Sequence, residues 1–162
     1  EIIPKKLLTI EGVGAGKACL IAAALELGRR FNSSPAATVH SPVDVLPLIK
    51  HYTLEKQEHF LCASLNGAHE ILSIRTVSVG TLNRCVIHPR EVYAEAIKER
   101  AAAIILAHNH PSGNPEPSQN DIETTQQLYD AAKILGIHLL DHVIITTHDY
   151  FSFAENSLVF SS

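Results

Sequence analysis

The chain has 162 residues, of which 46% are hydrophobic and 19% charged, so it can bury a core and does not read as disordered. A formal net charge of −4 excludes a polycation built for nucleic acid, and the chain shows neither a secretory leader nor an apolar run of about 18 residues that could span a bilayer. The charge is uneven: in residues 1–35, Lys5, Lys6, Lys17, Arg29 and Arg30 against Glu1, Glu11 and Glu26 leave +2, and the remainder carries −6.

From the start, the Ala- and Leu-rich run Lys17 to Arg30 predicts a helix that ends near Gly28. Asn32-Ser33-Ser34-Pro35 is a polar break. Ser41-Pro42-Val43-Asp44 then reads as a helix start, with a capping serine and proline at the first helical position, and Pro47 keeps that helix short. Two extended runs follow, Glu58 to Leu65 and Glu70 to Val79, joined by Asn66-Gly67, a strong signal for a two-residue hairpin turn. Pro89 opens a helix expected to reach about Ala102, with Val92, Ala96 and Ile97 on one face.

Ile104-Ile105-Leu106-Ala107 reads as a buried strand leading into His108. Residues 111–117 hold Pro111, Gly113, Pro115 and Pro117 and form a loop. Ser118 starts a long helix to about Leu135, with Ile122, Leu128 and Ile134 on its inner stripe and Gly136 as its stop. Ile137 to Thr147 reads as a second buried strand and Tyr150 to Ala154 as an edge strand. Helices interleaved with strands predict an α/β or α+β domain around one mixed sheet. Cys19, Cys62 and Cys85 are odd in number and lack C-x-x-C pairing, so they read as buried spectators in a reducing cytoplasm. A sequence that begins at Glu1 and holds no methionine reads as a fragment.

The residues that carry chemistry are His108-Asn109-His110 and, after seven more residues, Ser118-Gln119-Asn120-Asp121. Histidines at i and i+2 on an extended strand end project to the same side and can share one ion. Asp121 falls on the first turn of the next helix, and the Pro/Gly loop folds that turn back towards the histidines. Two nitrogens and one carboxylate oxygen are the composition of a catalytic zinc site, whose fourth position is left for a water acidified to a pKa of about 7. Read blandly, H-x-H is common in strands, and S-x-x-D is also a capping box.

The full pattern matches the JAMM motif, H-x-H-x7-S-x-x-D, at every defined position, and Ala107 to Asn114 resembles the RadC branch of that superfamily. Gly80-Thr81-Leu82-Asn83, His88-Pro89-Arg90-Glu91 and Leu140-Asp141-His142 are similar to RadC segments too, and the resemblance covers roughly residues 45–160. It implies a JAMM/MPN-like, cytidine-deaminase-like fold with a mixed β-sheet flanked by helices. It also implies one zinc ion per chain on His108, His110 and Asp121, and hydrolysis of a peptide or isopeptide bond. The family's glutamate base falls on Glu58, with Glu55 and Glu70 as competitors, and its oxyanion-stabilising serine on Ser118, which as a bare sequence feature is only a helix cap. Asn109, Pro111, Ser112 and Gly113 read as loop-shaping. His138 and His142, four apart on one strand face, read as core or supporting groups, and His88 as a helix-start residue.

Upstream, Leu7-x-x-Ile10-x-Gly12-Val13-Gly14-x-x-x-Ala18-x-x-Ile21 resembles a helix-hairpin-helix, in which Gly12, Gly14 and Lys17 would meet a phosphate backbone without reading sequence. The expected organisation is therefore a truncated helix-hairpin-helix segment at 1–34, a linker at 35–44 and a JAMM/MPN+ metallohydrolase domain at 45–162. The competing function is a DNA-associated repair or recombination protein with non-specific contacts through residues 7–21. A zinc deaminase is disfavoured because H-x-E with P-C-x-x-C is absent, and a catalytically silent scaffold because the ligand set is complete.

Overall fold

Residues 7–32, 38–80 and 87–159 are described in the computed structural model, and they fall into two units, Glu1–Ala37 and Thr38–Ser162. In the first, the Ala- and Leu-rich run folds as helix α1, Ala15–Asn32. Gly12 ahead of it has φ +80°, a conformation that favours glycine. Lys17 Nζ donates to the Gly12 carbonyl at 3.2 Å. The first helix of a helix-hairpin-helix would fall largely on residues outside those described. Cys19 is exposed on α1, contrary to the sequence expectation, whereas Cys62 is buried as expected; Cys85 lies outside the described residues.

The second unit begins with short helical turns at Pro42–Val45, Leu46–Ile49 (α2) and Lys50–Leu54. Asp44 Oδ2 accepts the backbone N–H groups of His40 and Ser41, each at 2.8 Å, which starts the run. Pro47 sits within α2 and the helix does not extend beyond four residues. Five strands follow: β1 (His59–Leu65), β2 (Ile71–Val79), β3 (Ala103–Asn109), β4 (His138–Ile145) and β5 (Tyr150–Ser152). They form one mixed sheet in the order β2-β1-β3-β4-β5, parallel only between β3 and β4. Helix α3 (Pro89–Lys98) lies between β2 and β3 in sequence, and α4 (Gln119–Leu135) makes the crossover from β3 to β4.

Alternation decides which side chains meet which helix. Phe60, Cys62, Ile104 and Leu106 pack with Val92, Tyr93 and Ala96 of α3 and Leu128 and Ala132 of α4. Leu61, Ala63, Leu65, Ala103, Ile105 and Ala107 pack on the opposite face with Val45 and Ile49. His108 continues the first series, so the strand period alone turns it towards α4. Tyr93 joins the two helices by donating its hydroxyl to the Leu128 carbonyl at 2.8 Å.

Four local expectations are corrected. The β1–β2 connection is a five-residue loop held by Asn66, whose Oδ1 accepts the N–H groups of Ala68 and Glu70 at 2.9 and 3.0 Å; the positive φ falls at His69 (+59°) and not at Gly67. Helix α3 stops at Lys98, because Arg100 turns left-handed (φ +56°) to feed β3, and it buries Tyr93 while Ile97 stays 52% exposed. The inner stripe of α4 is Asp121, Thr125, Leu128 and Ala132, and Ile134 points to solvent. The pairing of β3 with β4 slips between Ile104 and Ile105, which skips Leu140 in the register; His138 is therefore exposed while His142 is fully buried.

Candidate metal centre

The strand that carries the histidines is buried at every residue, and its last turn of chain is anchored by His110 N donating to the Ile145 carbonyl at 2.9 Å. Helix α4 begins opposite it. Ser118 Oγ accepts the N–H of Asp121, and Asp121 Oδ2 accepts the Ser118 N–H at 2.8 Å, so the capping box fixes the carboxylate as it fixes the helix. Gly113, at φ +80°, lets the intervening loop turn back.

His108, His110 and Asp121 each bring one ligand-type atom into a cluster in which all lie within 4.8 Å of one another. His108 Nε2 and His110 Nε2 are 2.9 Å apart. Asp121 Oδ1 is 3.5 Å from His108 Nε2, and Oδ2 is 3.7 Å from His110 Nε2. Asp121 and His108 are buried, while His110 keeps 12% of its side chain exposed, so the cluster opens to solvent on the His110 side. Asp121 Oδ1 is buried without a hydrogen-bond partner. A lone buried carboxylate oxygen costs several kcal/mol unless a cation meets it, and the N,N,O donor set facing it suits a divalent metal. The residues present therefore fit such an ion.

The electrostatics follow from these contacts. Burial, with the neighbouring His142 next, pushes His108 well below the ordinary imidazole range and keeps it neutral. For His110 burial works the same way, but Asp121, the Asn114 carbonyl and Glu58 outweigh it and hold its charged form above the ordinary range. Burial would raise the Asp121 carboxyl; His110, His108 and the Ser118 donors override it and hold the group well below the carboxylate range. His142 is pushed down to about 4 by burial.

The sequence-singled residues distribute unevenly. Glu58 sits immediately before β1, close enough to be felt at His110. Ser118 donates its hydroxyl to Asp121 Oδ2 at 2.6 Å and so orients the carboxylate. Gly12, Gly14 and Lys17 lie in the other unit, where the Lys17 ammonium gives one of its three hydrogens to the Gly12 carbonyl. His88 caps α3, its Nδ1 accepting the Arg90 N–H at 3.1 Å. Thr125 carried no role from the sequence, and Asn109, read there as loop-shaping, takes a different one. Thr125 stands one turn after Asp121 on the same buried stripe, a spacing of four that was visible. Asn109 bonds β1 across the sheet, which sequence spacing does not reveal.

The family described as the RadC-like JAB domain matches residues 39–158. A "UPF0758 protein" of Methanospirillum hungatei is 50% identical over 146 residues, covering 86% of this chain and 64% of that protein. Those of Alkaliphilus metalliredigens and Bacillus licheniformis are 45% and 44% identical, each over 96% of this chain and over 68% and 71% of their own lengths. The chain thus spans about two thirds of the length of these relatives. Its mixed sheet flanked by helices is the architecture of a JAB/MPN-like domain, and no helix among the described residues is long and apolar enough to cross a membrane. A match over most of Thr38–Ser162, with relatives this similar, places the chain in the RadC family.

Proposed function

We propose that the unit Thr38–Ser162 is a zinc-dependent hydrolase of peptide or isopeptide bonds, with His108, His110 and Asp121 as ligands of one zinc ion. The observation that carries this reading is Asp121 Oδ1, a buried carboxylate oxygen without a hydrogen-bond partner, 3.5 Å from an imidazole nitrogen. A zinc ion held there would acidify a water and polarise the scissile carbonyl.

The chain's own residues do the rest. Glu58 accepts the water's proton and delivers it to the departing amine; its support is its electrostatic reach to His110. Asn109 holds the segment that carries Glu58 against the end of β3. Ser118 orients Asp121, and its hydroxyl can serve the developing oxyanion only by turning its hydrogen away from Asp121 Oδ2. The exposed edge of His110 gives the substrate its side of approach. Phe60 and Phe153 exclude water behind the histidines.

Zinc content of the purified full chain, beside its His108→Ala and Asp121→Ala variants, tests the reading. About one equivalent in the parent and little in either variant is expected. A parent that takes up no zinc from a buffered excess overturns it. Hydrolysis is tested with quenched peptide and isopeptide libraries, which the zinc-loaded parent should cleave and the Glu58→Gln variant should not.

A further inference from the structure

The Thr125 hydroxyl lies 2.6 Å from the carbonyl oxygen of Asp121, one turn earlier on α4. A carbonyl only accepts, so the hydroxyl hydrogen goes there and the Thr125 oxygen is left as an acceptor. His142 Nδ1 is 2.5 Å from that oxygen and must therefore bring a hydrogen of its own. The ring is fully buried, stacked on Phe153 at 4.9 Å and edge-on to Phe60 at 5.3 Å, an apolar setting that holds a neutral imidazole with one N–H. His142 Nε2 is then bare, and His108 Nδ1, 2.8 Å away, has to supply the hydrogen between them. That leaves His108 Nε2 bare, facing His110 Nε2 at 2.9 Å and Asp121 Oδ1 at 3.5 Å.

We infer that His142 and Thr125 are positioning residues that lock His108 in the tautomer whose Nε2 lone pair faces the cation, an inference that rests on the metal centre proposed above. The relay has a fixed sense because it starts at a group that cannot donate. Both of its ends lie in the ligand set, since the accepting carbonyl belongs to Asp121 and the bare Nε2 to His108. One hydrogen-bonded path through β3, β4 and α4 thus sets the ring of one ligand against the backbone of another. His110 is set separately, its Nδ1 donating to the Asn114 carbonyl at 2.8 Å. Both rings then present bare nitrogens to the same point, an arrangement that is repulsive until a positive species occupies it. Partners of this kind, behind a metal-bound imidazole, raise its basicity and fix its rotation.

The test uses the full chain and three variants. His142→Phe keeps an aromatic ring beside Phe153 but has no nitrogen; Thr125→Val keeps the shape and loses the hydroxyl; Thr125→Ser keeps the hydroxyl. Long-range proton–nitrogen correlation of the zinc-free protein at about pH 8 reads the tautomer directly. His108 is expected as the Nδ1–H form in the parent and in Thr125→Ser, and as a mixture in the other two. Competition with a chromophoric chelator should show zinc affinity falling about 10- to 100-fold in His142→Phe, less in Thr125→Val, and returning in Thr125→Ser. Folded variants that keep both the parent tautomer and the parent affinity overturn the inference, and so does an affinity loss with the tautomer unchanged. If His142→Phe does not fold, the Thr125 pair decides. A parent that binds no zinc sinks the hydrolase reading instead, while the zinc-free tautomers still judge the relay.

Discussion

Asn109 Oδ1 accepts the backbone N–H of His59 at 2.7 Å, which ties the last residue of β3 to the first residue of β1. The same amide donates to the Gln57 carbonyl at 3.0 Å, so one buried side chain clamps both sides of Glu58. Replacing it with alanine strands the part-buried His59 N–H, at a cost of about 1–3 kcal/mol. Asn109→Ala should therefore lower the urea midpoint and leave zinc content near that of the parent. It should also cut hydrolysis far more than binding, because a misplaced base loses rate and not affinity. Equal activity with a freed Glu58 segment would remove Glu58 from the mechanism.

Acid should destabilise the zinc-free protein through His142 and His108. An unfolded imidazole titrates near 6.5. Burial depresses the folded value of His142 to about 4 and that of His108 well below its ordinary range. The fold thus favours the neutral rings, and their contribution is complete above about pH 6.5 and lost as the pH falls towards 4. For His142 the difference corresponds to about 3 kcal/mol. His110 runs the other way: its raised value gives a contribution that is full below about pH 6.5 and lost as the pH rises. Urea midpoints with chelator present should fall between pH 7 and 4.5, with a flatter profile in His142→Phe. A flat parent profile would count against a buried neutral pair.

The sequence was most informative where the determinants are local. A capping serine three residues before an aspartate, a buried strand ending in H-x-H and a Pro/Gly loop between them are all short-range signals, and the structure brings the three side chains together as that pattern suggests. The failures have separate causes, of which only one is long-range pairing. Asn66-Gly67 carries a tight-turn signal, but the Asn66 side chain organises a longer loop and moves the left-handed residue to His69. His138 and His142 share a face in a regular strand; the slip against β3 separates them and sends only His142 to the centre. Ile134 fits a helical stripe by spacing, yet the buried stripe of α4 begins with Asp121 and Thr125, polar positions that an apolar pattern passes over.

Ser118 allows its two roles to be separated. As a cap it accepts the Asp121 N–H at 3.2 Å, and removing a cap costs about 1 kcal/mol. As an oxyanion donor its loss would lower the rate by about 10²–10³ with zinc retained. Ser118→Ala should show the stability loss in either case, since α4 starts there. A rate drop of that size at unchanged zinc content assigns the second role. A drop that follows the loss of zinc would instead mean that the hydroxyl acts only by holding Asp121.

Asp121→Asn should divide stability from metal binding in opposite directions. The carboxylate uses Oδ2 to accept from both the backbone and the hydroxyl of Ser118, while Oδ1 has no hydrogen-bond partner. An asparagine can place its oxygen where Oδ2 sits and its NH2 where Oδ1 sits, 3.5 Å from His108 Nε2. A buried carboxylate oxygen without a hydrogen bond is then replaced by a donor facing a nitrogen lone pair, which should stabilise the zinc-free fold by about 1 kcal/mol at alkaline pH, once His110 has lost its extra proton. The parent, in contrast, should gain about 2.7 kcal/mol from zinc at a hundredfold excess over its dissociation constant. The variant should gain much less, because a neutral amide oxygen lacks the negative charge with which a carboxylate binds zinc. Thermal unfolding with and without zinc measures both effects. If the variant is less stable than the parent without metal and equally stabilised by zinc, Asp121 is a structural cap, and the buried oxygen has no cation to answer to.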